Sequence, residues 1–223
     1  MKLTRRTVLA GGIGGIGAVI SGPRLPSLAD GYIRPDHDPE TIPPELVCRE
    51  SNLADLDVSG TIYEGEEIEE FRRLGAWHDE DDVRWGTLRG SFGLSTFTLR
   101  VNDLAFERGD DVRITFRQSS WFPQPRGVVE KASLEVYTEV GWQEVRGTAN
   151  GHNVGATDPL LHSYPGWSHE YRFELSEAGV RRAVTDRHED ALLVCPELPV
   201  GRYRFTVGAP MDGDLAVAFD LLG

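Results

Sequence analysis

Lysine is almost absent from this chain: of the 223 residues only Lys2 and Lys131 are lysines. Cysteine and methionine are equally scarce, at two each, Cys48 and Cys195 being the cysteines. No apolar run approaches the ~20 residues that a membrane-spanning helix needs. Basic clusters are missing too, which argues against direct nucleic-acid binding and against adhesion to an acidic membrane surface. Nor does the chain carry a G-x-S-x-G elbow, an H-E-x-x-H pair, a phosphate-binding glycine loop or an EF-hand loop. The familiar hydrolase, metalloprotease, nucleotidase and calcium-sensor signatures are therefore excluded as sequence motifs.

What is present begins with the first residues. Lys2, Arg5 and Arg6 make a positive start, and Thr7 to Ile20 is an uncharged stretch rich in Gly, Ala, Ile, Val and Leu. Ser27-Leu28-Ala29 follows as a small-x-small sequence, so cleavage after Ala29 would leave Asp30 as the new terminus. Thr4-Arg5-Arg6-Thr7-Val8-Leu9 resembles the twin-arginine motif of Tat signals, with Val8 where Phe is usual. The resemblance implies engagement of the Tat translocase and export of a prefolded chain. No cysteine stands near the cleavage point, so no lipid anchor is expected there, nor stable membrane insertion after cleavage. An uncleaved signal would act as a weak anchor.

Residues 1–29 hold four of the 23 basic residues and no acid, leaving 19 basic against 36 acidic, a net charge of −17. Such a surface suits high salt, where self-repulsion is screened beyond about 3 Å at 1 M. In an exported chain two cysteines suggest a Cys48–Cys195 disulfide.

Three regions follow from patterning: a signal at 1–29, an acidic linker or extension at 30–86, and a sandwich at 87–223. Pro35, Pro39, Pro43 and Pro44 mark an extended arm. Ile68, Phe71 and Leu74 recur at three-residue spacing before Gly75, which predicts a short amphipathic helix. From residue 88 the period becomes two, as in Phe97–Val101, Asp111–Arg117, His169–Leu175, Gly201–Val207 and Leu215–Phe219. Leu134–Tyr137 and Trp142–Val145 read as a hairpin around Val140-Gly141, and Ser176 as the cap of a short helix. About seven alternating strands predict a mainly β, antiparallel immunoglobulin-like β-sandwich.

The runs Ala105–Val112, Gly141–Val145 and Val194–Phe205, with Leu99-Arg100-Val101 before them, resemble a group of uncharacterised exported proteins of haloarchaea. The pattern is also loosely similar to the BsuPI-type proteinase-inhibitor sandwich. The likeness covers roughly residues 95–222 and implies fold and compartment, not an active site.

Candidate sites are few. A blue-copper centre needs two His, a Cys and usually a Met, but no histidine follows Cys195, because His188 is the last in the chain. His37, and His78 with Asp79 to Asp82, are possible cation ligands that read better as a solvated acidic face. Asn150-Gly151-His152-Asn153 reads as a turn, with a binding loop as its alternative. Ser168-His169-Glu170 cannot form a triad on one strand, since neighbours point to opposite faces. Arg108-Gly109-Asp110 spells an adhesion tripeptide but is what a turn requires. Trp121-Phe122 in a proline-rich loop reads preferentially as a buried plug for one end of the sandwich. If exposed, the pair would be a sugar-stacking or protein-docking patch.

No cofactor is called for. The expected role is a non-catalytic, exported binding or structural module of the cell surface or medium, with an unknown protein or glycan partner. An enzyme using the acidic 60–82 segment and an extracellular proteinase inhibitor are the alternatives.

Overall fold

The alternation read from residue 88 onward becomes strands almost position for position. A computed structural model describes residues 31–75, 82–89, 95–126, 129, 132–154, 161–183, 189–195, 197–208 and 213–223. The signal residues Arg5, Arg6 and Ala29 lie outside these, as does the His78–Asp81 run.

Helix α1 (Glu50–Leu53) precedes the first strands, β1 (Phe71–Arg73), β2 (Val83–Trp85), β3 (Thr87–Arg89), β4 (Ser95–Val101) and β5 (Ala105–Phe106). The middle of the chain forms β6 (Asp111–Gln118), β7 (Gln124–Arg126), β8 (Ala132–Thr138), β9 (Gly141–Glu144) and β10 (Arg146–Ala149). After β11 (Leu161–Ser163) and β12 (Ser168–Glu174) comes α2 (Glu177–Arg182), and then β13 (Leu193–Val194), β14 (Gly201–Val207) and β15 (Asp214–Leu221). The Ser176 hydroxyl accepts the Gly179 N–H at 3.2 Å and caps α2 as expected, a contact of about 1 kcal/mol.

The protein is mainly β. The two larger sheets run β12-β6-β4-β3 and β2-β15-β14-β8-β9, and their apolar faces meet, while β1-β10-β13 and β11-β7 form two smaller sheets. Phe205 of β14 packs on Tyr171 and Phe173 of β12, with ring centroids at 4.8 and 6.2 Å. Phe116 of β6 is fully buried between Phe97 and Trp167. Each such ring contributes roughly 2–3 kcal/mol by leaving water. The pairing is antiparallel except along the outer edge of β15, where β2 and β5 pair parallel.

That edge shows how the amino-terminal region is used. Beside β2, the Gly86 N–H reaches Ala216 O; next, Ala218 N–H reaches Ile33 O; then Asp220 N–H reaches Leu104 O. Three separate segments thus cover one exposed row of backbone groups, which would otherwise invite pairing with another chain. Tyr32 also bridges to Val101 in the opposite sheet. The expected acidic extension is therefore woven into the sandwich. Gly86 carries the chain from one sheet to the other at φ +65°, and a Cβ there would lie 2.6 Å from Ile33.

One element differs from expectation. The segment read as a helix, Ile68 to Leu74, contains β1, which pairs with β10. The extension does carry a short helix, but it is α1. Gly147 of β10 has no side chain to keep Phe71 away: a Cβ there would sit 2.3 Å from the Phe71 ring. Phe71 therefore packs beside the small cluster of Tyr63, Ala149 and Leu193. Arg73, two residues on, donates to Glu144 O, Leu46 O and Cys195 O at 2.7–3.1 Å. The period-two pair 71/73 wins over the three-residue spacing because its partners come from distant strands.

Cys48 and Cys195 form a disulfide across a sequence separation of 147. It fixes the end of the arm, whose Pro43 O accepts Glu139 N–H and whose Leu46 N–H donates to the Gln143 side chain. Among the described residues two ion pairs are buried. Arg146 grips Glu144 through Nε at 2.8 Å, and Arg204 pairs with Glu135 at 2.7 Å while its guanidinium lies 4.4 Å from the Trp142 ring centre.

Candidate binding surface

The loop after β6 is hung from a buried glutamine. Gln118 Nε2 donates to Ser120 Oγ at 2.8 Å and to Phe122 O at 2.5 Å, while Ser120 Oγ donates to Phe122 O at 2.7 Å. The backbone is tied as well, by Ser119 N–H to Thr96 O and Gln118 N–H to Trp167 O. So held, Trp121 is 86 % exposed and Phe122 73 % exposed. This corrects the expectation that the pair is buried. The end of the sandwich is already filled by Trp167, which meets Phe116 edge-on at 5.4 Å and carries the Arg126 guanidinium at 4.5 Å.

Strand β7 pairs with β11, ending at Ser163 opposite Gln124. One step further, the chain reaches Tyr164, 68 % exposed, whose carbonyl accepts the Trp167 N–H in a turn. Three large aromatic side chains thus stand out at one end, on backbone that is hydrogen-bonded rather than loose. Tyr164 was not marked by the sequence reading. Its signal was the Tyr164-Pro165-Gly166-Trp167 turn, which has the same aromatic–proline character as the Trp121 loop.

The patch continues onto the outer face of the four-stranded sheet. Thr87, Thr98, Arg117 and Ser168 lie in register across β3, β4, β6 and β12. Arg117 immediately precedes Gln118, and among the described residues it has no hydrogen-bond or ion-pair partner.

A concavity of about 590 Å³ lies beside the disulfide between residues 52–57, α2 and Cys195, with Asp57, Glu177, Arg181 and Glu197 in its wall. Its inner charges are occupied. Arg181 donates to Asp57 O and Ser59 O at 3.0 and 2.7 Å. Burial pushes the Glu177 carboxyl up, but backbone N–H groups, that of Leu198 included, and the Arg108 guanidinium outweigh it and hold it below the usual range. Hydrogen bonds from Ser59 hold Asp57 low as well. Both carboxyls are kept ionised, so neither is poised as a general acid at neutral pH.

The other sequence candidates are structural. Asn150 and Gly151 take positive φ in a turn, and the Asn150 amide bonds Glu69 N–H and Glu67 O. In Arg108-Gly109-Asp110 the arginine is engaged by Glu177 and Leu198 O, and Asp110 accepts the Glu107 N–H. On β12, Ser168 and Glu170 are exposed while His169 is turned toward Tyr171, at 4.5 Å between rings. His37 lies 3.7 Å from Asp220, beside Arg202. Among the described residues no three His, Cys, Asp or Glu side chains gather to hold a metal ion, and no helix is long and apolar enough to cross a membrane.

No family model matches the chain, and no curated protein does. Solved structures match only distantly. An alkylpurine DNA glycosylase of Pseudomonas fluorescens is 12% identical at a TM-score of 0.29, over 57% of this chain and 31% of that one. A β-glucosidase of Erythrobacter marinus is 15% identical at 0.28, over 58% and 16%. A β-glucosidase of Listeria innocua is 13% identical at 0.27, over 59% and 17%. The match thus spans less than a third of those longer chains, and at such scores it carries no argument about activity.

Proposed function

We propose that this protein is an exported, salt-adapted, non-catalytic module that binds an extracellular partner through Trp121, Phe122 and Tyr164. The observation that carries the reading is the exposure of these three rings on a hydrogen-bonded base. Exposed aromatics cost solvation in the free protein, and rigid aromatic anchors are what binding surfaces concentrate. The amino-terminal signal pattern and the disulfide support an extracellular setting reached through the Tat translocase. The groove beside Cys195 lends the enzyme reading no support, since its inner charges are already engaged.

Binding is tested by retention on the envelope fraction of the producing cells. Wild-type protein is expected to be retained. Trp121→Ala combined with Tyr164→Ala is expected to release it by roughly tenfold or more, with an unchanged melting temperature. Equal retention of both proteins would remove the proposal. Salt adaptation is tested separately. Stability is expected to rise steeply between dilute buffer and molar KCl, as repulsion within a surface of net −17 is screened. A flat response would refute it.

A further inference from the structure

The chain has 36 acidic residues in 223, about one in six, yet they are unevenly spread along it. After residue 30 the two longest stretches without Asp or Glu are 83–102 and 112–129. The first supplies β3 and β4, and β2 of the other sheet; the second supplies nearly all of β6, the Trp121 loop and β7. A shorter one, 159–169, supplies β11 and Tyr164 and is brought beside the second by the β7–β11 pairing, while the longer acid-free stretches 145–157 and 198–211 supply β10 and β14. Burial accounts for the inward positions only. The outward row Thr87, Thr98, Arg117 and Ser168 faces solvent and could have carried acids, as outward Glu170 and Glu174 do further along β12. Instead it offers hydroxyls, that of Thr87 accepting the Arg100 guanidinium at 3.2 Å, and in Arg117 one arginine without a partner among the described residues.

From this convergence of acid-free segments we infer that the surface takes an anionic glycan, a chain of uronate residues. The inference rests on the binding role proposed above and names its ligand class. A flat ring such as Trp121 stacks on the apolar face of a sugar. Threonine and serine hydroxyls donate and accept, as sugar hydroxyls do. The planar Arg117 guanidinium matches a carboxylate in bidentate geometry. Carboxylates in this row would repel such a ligand, and none stands in it; the nearest outward acid on β12 is Glu170, two residues beyond Ser168. In molar salt the repulsion from the rest of the protein is screened beyond about 3 Å, so local contacts decide binding. A hydrophobic protein partner is less well matched, because among the described residues no aliphatic side chain of β6, β7 or β11 is strongly exposed.

The probes are galacturonate and glucuronate oligomers and their methyl esters, titrated calorimetrically into the mature chain in 2 M KCl. The uronates are expected to bind, and the esters at least about fivefold more weakly. Trp121→Ala should weaken uronate binding roughly tenfold. Arg117→Gln should abolish the preference for acid over ester, and Arg117→Lys should restore part of it. Equal binding of acid and ester, or binding that ignores both substitutions, overturns the inference. So does failure of every oligomer to bind. If envelope retention still depends on Trp121 in that last case, the binding role stands with a protein partner; if it does not, both fall together.

Discussion

Replacing Cys48 and Cys195 together by serine is expected to cost about 5 kcal/mol, from the loop-closure entropy of a 147-residue separation. Few single features of a domain this size weigh as much, since total stabilities lie near 5–15 kcal/mol. The bond matters through what it anchors. The arm before Cys48 runs from the bridge of Tyr32 with Val101, past Ile33 beside Ala218, to Pro43 beside Glu139. Without the disulfide these backbone contacts and the side-chain bonds at His37 and Leu46 must hold the arm against the sheets. Detachment would uncover the middle of the β15 edge. Denaturant unfolding of both proteins at matched salt measures the difference. A loss below about 1 kcal/mol would show that the reduced chain is already confined by other means.

Arg146→Met is expected to destabilise by about 3–5 kcal/mol, because it strands a carboxylate inside the protein. Glu144 and Arg146 are 0 and 1 % exposed at the side chain, and the arginine also donates to Ala132 O at 2.9 Å. By contrast, Arg172→Met removes a pair with Glu170 at the surface, where the loss should stay below about 1 kcal/mol. Adding Glu144→Leu to Arg146→Met should recover part of the cost but not all. The Glu144 carboxylate also accepts the Leu134 N–H at 3.0 Å, and that buried donor would be left without a partner. A double-mutant cycle by denaturant unfolding reads the coupling directly. Equal losses for Arg146→Met and Arg172→Met would sink the argument.

The strands were legible because their signal is local. Alternation in Asp111–Gln118 reports a strand with one face in a core, whatever that core is, and in Gly201–Val207 it reports the strand although Arg204 and Thr206 on its polar face are buried too. The Ser176 cap was legible for the same reason, as its hydroxyl meets an N–H three residues on. The segment around Phe71 was misread because its spacing fits a helix locally, while Gly147 and three distant carbonyls select a strand. Glu144 and Arg146 gave no sign of burial, since a charged pair two residues apart looks the same on a surface.

The candidate surface divides along the same line. Trp121 and Phe122 could be named from composition, but whether they plug the sandwich or face solvent depends on which aromatic fills its end. Trp167, from another strand connection, takes that place. The sequence by itself determined the mainly β class, the acid excess, the signal-like start and the two cysteines, because composition and period are properties of neighbours along the chain. Only the tertiary structure decided that the amino-terminal arm closes the edge of β15, that the cysteines meet, and that three acid-free stretches share one end of the molecule. Those outcomes depend on which distant segments pack together, and no window of neighbouring residues carries that information.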